Sequence, residues 1–145
     1  MVSKIKKVAQ QARQNLESGR VDRKLLAKLY AKYNQNIEDP DEFVAQGLAM
    51  FPRLCCGIAS VYLKHLLGSG KIVTGKCGEE LHTFLLVDDF VIDITGDQFG
   101  GQSVFIGQVQ FHISYQSTFR SFQNSKGLSL SLSKSAEIQV GYSTT

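Results

Sequence analysis

Residues 81–95, Leu81-His82-Thr83-Phe84-Leu85-Leu86-Val87-Asp88-Asp89-Phe90-Val91-Ile92-Asp93-Ile94-Thr95, decide the fold of this chain. Two strand-like runs meet at Asp88-Asp89, and a two-residue turn there pairs Val87 with Phe90, Leu86 with Val91 and Phe84 with Asp93. Alternation across the pleat then sends His82, Phe84, Leu86, Val91 and Asp93 to one face. His82 and Asp93 become diagonal neighbours, with Cα atoms about 7 to 8 Å apart, within reach of a hydrogen bond between imidazole and carboxylate. A three-residue loop without a bulge would separate them onto opposite faces. Energy points the same way, because Asp93 lies in the apolar run Val91–Ile94, where an unpaired buried carboxylate would cost several kcal/mol. The competing expectation is that Asp93 accepts backbone N–H groups of the turn through Thr95 and Gly96.

Upstream of this hairpin the periodicity is helical. Ile5, Val8, Ala9, Ala12 and Leu16 recur three and four apart over residues 4–17, with Gly19 as a stop. Asp22 reads as the cap of a second helix running to about Tyr33, and Asp39-Pro40-Asp41 starts a third, short one. Cys55 to Leu67 reads as a mostly buried helix ended by Gly68-Ser69-Gly70. Strands are expected at Lys71–Thr74, His82–Val87, Phe90–Ile94, Ser103–Ile106 and Val109–Tyr115. Helices first and strands afterwards predict a segregated α+β domain with an antiparallel sheet. Residues 1–50 form its helical scaffold, 51–122 its core and 123–145 a Ser-rich tail, where Leu128, Leu130 and Leu132 alternate with serines and Glu137–Val140 is a further strand candidate.

The whole chain fits that single domain. Its 145 residues, 43% apolar with net charge +3, can bury a core and are too few for two domains. No apolar run approaches the ~18 to 20 residues of a membrane span, and no secretory signal is legible at the start. A cytoplasmic protein is expected, or one exported by a route without a signal peptide. Residues 1–35 carry nine Lys or Arg against Glu17 and Asp22, net +7, while residues 36–145 carry seven against eleven acids, net −4. That basic arm reads first as a solvated helix face. An acidic partner is the functional alternative, whereas nucleic acid is disfavoured because interleaved aromatics are lacking.

The three cysteines do not make a disulfide framework, and no pair of residues has metal-ligand spacing. Thiol chemistry is the functional reading. A thiol at a helix N-terminus feels the positive end of the backbone dipole, which favours the reactive thiolate. Spacing alone leaves both Cys55 and Cys56 open as that thiol, and the bland reading of either is a small buried hydrophobe. Cys77 reads as an exposed loop residue. Among the histidines, only His82 shares a face with an aromatic and an acid. His112 falls with Gln110 and Ser114 on the polar side of its expected strand and reads as solvent-facing, and His65 reads as an exposed residue near a helix end.

Cysteine at a helix start, histidine on a strand and aspartate on the next strand is the chain order of the transglutaminase-like branch of the papain-like cysteine hydrolases. Phe51-Pro52-Arg53-Leu54-Cys55-Cys56-Gly57 with Ala59-Ser60, His82-Thr83-Phe84, and Ile92-Asp93-Ile94-Thr95-Gly96-Asp97-Gln98-Phe99 also resemble the matching stretches of a group of small bacterial proteins. The resemblance covers residues 51–106. It implies a papain-like core with Cys56 as nucleophile, His82 as general base and acid, and Asp93 as the group orienting the imidazole. Cys55 is the fallback nucleophile. Leu54 stands where glycine is frequent, Ile58 where an acid is frequent and Phe84 where tryptophan is usual; the triad is intact, and the changes bear on substrate preference.

The expectation is a thiol amidohydrolase or acyltransferase acting on a protein or peptide amide through a thioester. Peptide hydrolysis, glutamine deamidation and transglutamination share these steps. Neither metal nor organic cofactor is required, because thiolate and imidazole supply nucleophile and proton carrier. One oxyanion donor would be the Cys56 N–H, with Gln98 and Gln46 as guesses for the second. The alternatives are a non-catalytic binding module using the basic N-terminal helices, and a toxin or effector deamidase.

Overall fold

The computed structural model describes residues 2–114 together with the backbone of residues 143–144; the tail expectations at Leu128–Leu132 and Glu137–Val140 lie outside these residues. Four helices come first: α1 (Val2–Ser18), α2 (Arg23–Tyr33), α3 (Pro40–Met50) and α4 (Cys56–Leu67). Their limits follow from local chemistry. The carboxylates of Asp22 and Asp39 accept the N–H groups of Leu25 and Glu42, capping α2 and α3, and Pro40 opens α3 where its missing N–H is harmless. Gly68, with φ +72°, closes α4 in the left-handed conformation.

The strands are β1 (Lys71–Cys77), β2 (Glu80–Val87), β3 (Phe90–Asp93), β4 (Phe105–Gln108) and the two-residue β5 (Ser143–Thr144). They pair antiparallel in the order β4-β3-β2-β1-β5. The architecture is α+β, with the helices and the sheet in separate blocks of the chain. The β2–β3 register is Val87 with Phe90, Leu86 with Val91 and Leu85 with Ile92, as the two-residue turn requires, and Asp88 enters it at φ +53°.

Alternation splits the buried residues of the sheet into two layers. Ile72, Leu85 and Ile92 face the helices and pack with Leu16, Leu26, Ile58 and Leu63. Val73, Phe84, Leu86 and Val91 form a second layer with Val109, covered in part by Phe105. His82 and Asp93 belong by alternation to this second face, so the polar pair stands at the edge of an apolar layer.

Two sequence expectations need correction. Val109–Tyr115 does not begin as a strand: Val109–Phe111 is a 3-10 turn. Cys77 is not a loop residue; it is half-buried at the end of β1, opposite Glu80. Among the described residues no helix is long and apolar enough to cross a membrane.

Candidate active site

Cys55 is the N-cap of α4 and Cys56 its first helical residue. Cys55 is fully buried in the helical core, close to Gly47 of α3. Burial, and secondarily the neighbouring Cys56, push its thiol up to about 12, which makes it inert near neutral pH. Cys56 is half-buried and has the opposite balance. Burial is the largest influence and would raise its pKa, but the neighbouring His82 imidazole first, and Thr83 next, outweigh it and hold the thiol below its ordinary value. One residue along the helix start therefore separates a thiol whose pKa burial raises from one whose pKa His82 lowers.

His82 is fully buried on β2, with Phe99 edge-on at 4.9 Å and Phe84 at 6.3 Å between ring centroids. Its Nε2 donates to Asp93 Oδ2 over 2.7 Å. Burial would lower the imidazole pKa, yet Asp93 first and Cys56 next raise it to about 9. With Nε2 committed to Asp93, Nδ1 is the nitrogen left for the sulfur. It closes no hydrogen bond of ordinary geometry among the described residues, while thiol and imidazole shift each other's pKa in opposite directions.

Asp93 ends β3 with its carboxylate 2% exposed by residue and bonded through both oxygens. Oδ1 accepts the Thr95 N–H at 3.0 Å and the Thr95 hydroxyl at 3.4 Å, so the competing local-turn expectation holds alongside the His82 pair. Oδ2 accepts from His82 and, also at 2.7 Å, from His112 Nε2. Burial would raise this carboxyl, but the hydrogen bonds from His112 and His82, with their charge, hold it far below the usual carboxylate range.

His112 corrects the reading of it as solvent-facing: it is 1% exposed. In a 3-10 turn residues three apart eclipse, which places His112 on the same side as buried Val109 while Phe111 points outward. A strand would have put Val109 and His112 on opposite faces.

His82, Asp93 and His112 bring three potential metal ligand atoms within 4.8 Å of one another, a grouping that no sequence spacing suggests. Proton placement favours hydrogen bonds instead. A cation on both Nε2 atoms would force both Nδ1 atoms to carry protons, and a ligating imidazole ordinarily donates that proton to a carbonyl or carboxylate. The buried Nδ1 of His112 has no acceptor among the described residues, and both Nε2 atoms stand at N–H···O distance from one oxygen.

Of the two glutamines considered as oxyanion donors, Gln46 is exposed on α3 and spends its amide on Glu42. Gln98 lies in the 3-10 turn Gly96–Phe99, next to Phe99, and its buried amide nitrogen has no partner among the described residues. His65 is exposed near the end of α4, as expected. Comparison of the chain with family models, with curated proteins and with solved structures found no match.

Proposed function

We propose that this chain is a cysteine-dependent amidohydrolase or acyltransferase with a papain-like, transglutaminase-like core, acting on an amide carbonyl of a protein or peptide. The observation that supports this reading is the polar line from Cys56 to His82 to Asp93: a thiol held below its ordinary pKa by an imidazole whose far nitrogen is 2.7 Å from a buried carboxylate. Each member has the role its surroundings suit. Cys56, with its thiol proton passed to His82, attacks the carbonyl carbon, and the negative oxygen is received by the Cys56 backbone N–H. His82 gives its Nδ1 proton to the leaving amine, producing a Cys56 thioester. Water or an amine then attacks the thioester while Nδ1 takes up a proton, and the thiolate leaves. Asp93 keeps the imidazole oriented and compensates its charge throughout.

Incubation with p-nitrophenyl acetate tests this. A burst of nitrophenol and an acetyl adduct mapped to Cys56 by mass spectrometry are expected, with both abolished in Cys56→Ala and slowed about a hundredfold or more in His82→Ala. Acetylation confined to lysines, or an undiminished burst in Cys56→Ala, defeats the proposal.

A further inference from the structure

We infer that His112 is a positioning residue of this site: by donating its Nε2–H to the Asp93 oxygen that also receives His82, it keeps the buried carboxylate ionised and thereby keeps the proton on His82. The inference rests on the catalytic reading proposed for Cys56.

The starting point is the cost of a carboxylate in a setting where only 2% of the residue meets solvent. A buried ion pair of one imidazolium and one carboxylate can relieve its desolvation by moving the shared proton from nitrogen to oxygen, leaving both groups neutral. For this pair the transfer would discharge His82 and remove the positive charge that favours the Cys56 thiolate. Additional donors oppose it, because each hydrogen bond to the ionised form stabilises that form. Thr95 supplies donors only to Oδ1, at 3.0 and 3.4 Å. On Oδ2, the oxygen that would receive the proton, the donor besides His82 among the described residues is His112.

His112 is also held like a part with a fixed position. Its ring lies near-parallel to that of His82, at 17° and 5.7 Å between centroids, and contacts Phe84 at 4.5 Å and Phe105 at 5.4 Å. These contacts come from β2 and β4, and the 3-10 turn after β4 carries the ring itself, so its place is set by three segments of chain. Among the described residues the titratable groups bonded to Asp93 are His82 and His112, with Cys56 beyond His82; the next acid along, Asp97, is taken by Arg13.

The test compares His112→Leu, which removes the donor, with His112→Gln, which returns a side-chain N–H at similar reach. The readout is the rate of Cys56 alkylation by iodoacetamide against pH, with labelled peptides mapped and folding followed by circular dichroism. In His112→Leu the midpoint is expected to move up by about one pH unit, slowing alkylation about tenfold near pH 6.5, with the Gln variant back within about threefold of the native rate. A folded His112→Leu with the native profile overturns the inference alone, and so does a folded Gln variant as impaired as Leu. A native Cys56 no faster than Cys77, and indifferent to His82→Ala, overturns the catalytic reading and the inference with it. Should His112→Leu not fold, nitrogen NMR of the native imidazoles decides. Nε2–H on His112 and protons on both His82 nitrogens at pH 7 support the inference, and an Nδ1–H tautomer of His112 overturns it.

Discussion

Arg13 of α1 and Asp97 form a two-point ion pair, Nη1 to Oδ1 and Nη2 to Oδ2, each at 2.8 Å. The same guanidinium donates to the Ile94 carbonyl at 2.8 Å, pairs with Glu17 and lies over the Phe51 ring at 4.7 Å. The N-terminal helix thus holds both the segment that follows Asp93 and the segment that precedes Cys56. This arginine belongs to the basic arm, yet it is buried and committed, not part of a solvated face.

Removing that clamp has a predictable sign. Arg13→Met leaves Asp97 partly buried without its partner and frees the Ile94 carbonyl, costing about 2 to 4 kcal/mol. Arg13→Lys, a point charge without the two-pronged geometry, recovers less than half of this. Urea unfolding measures both; a loss under about 0.5 kcal/mol in Arg13→Met, the range of an ordinary surface change, contradicts the clamp.

Gly96 lies directly against the Asp93 carboxylate. A Cβ built there would lie 2.9 Å from Asp93 Oδ2 and 3.1 Å from the Gln102 carbonyl oxygen, with backbone on one side leaving little room to yield. Gly96→Ala is expected to displace the oxygen that receives both histidines, to cost about 1 to 3 kcal/mol and to slow Cys56 alkylation about tenfold. Alkylation kinetics and a urea melt on one sample measure the two effects together. Native kinetics in a folded Gly96→Ala contradict the expected displacement.

Leu54 sits at φ +59° and 71% exposed, immediately before the cysteine pair. A leucine in the left-handed region is strained by about 1 to 2 kcal/mol, and little of its side chain is buried in return. Leu54→Gly is expected to relieve that strain at some cost in unfolded-chain entropy, for a net gain of about 0.5 to 1 kcal/mol. A drop in the urea midpoint instead means that packing of the exposed leucine outweighs the strain.

The pH dependence follows from opposite shifts. Asp93 is depressed below its unfolded value of about 3.9, so its contribution is complete above that pH and is lost as pH falls through the lower folded value. His82, raised to about 9, contributes fully below about 6.5 and loses that contribution as pH climbs from there through 9. Cys56, held below its unfolded value, gains with pH over part of the same window and offsets the fall. Unfolding free energies measured from pH 3 to 9 should therefore show an acid limb that Asp93→Asn flattens. An alkaline decline should be steeper in Cys56→Ala than in the native chain; matching alkaline slopes in the two proteins would falsify the coupling.

Much of the site is legible in residues 81–95 and much is not. The Asp88-Asp89 turn and the two-residue period of the strands are local properties, so the pairing of His82 with Asp93 follows from neighbouring residues alone. Helix limits are legible for the same reason, because Asp22, Asp39 and Gly68 act on their own neighbours. His112 is not legible, because its neighbours Val109, Phe111 and Ile113 alternate like a strand while the chain there folds into a 3-10 turn that reverses which side the ring takes.

By itself, then, the order of residues determined the α+β class, the hairpin register and the shared face of His82 and Asp93, since each depends on contacts between residues close in the chain. Tertiary structure alone decided that Cys55 is buried and Cys56 meets His82, that His112 shares the Asp93 oxygen and that Arg13 clamps Asp97. Those outcomes depend on how α1, α4 and the turn after β4 dock against the sheet. Docking is set by burial summed over the whole core, which no local spacing records.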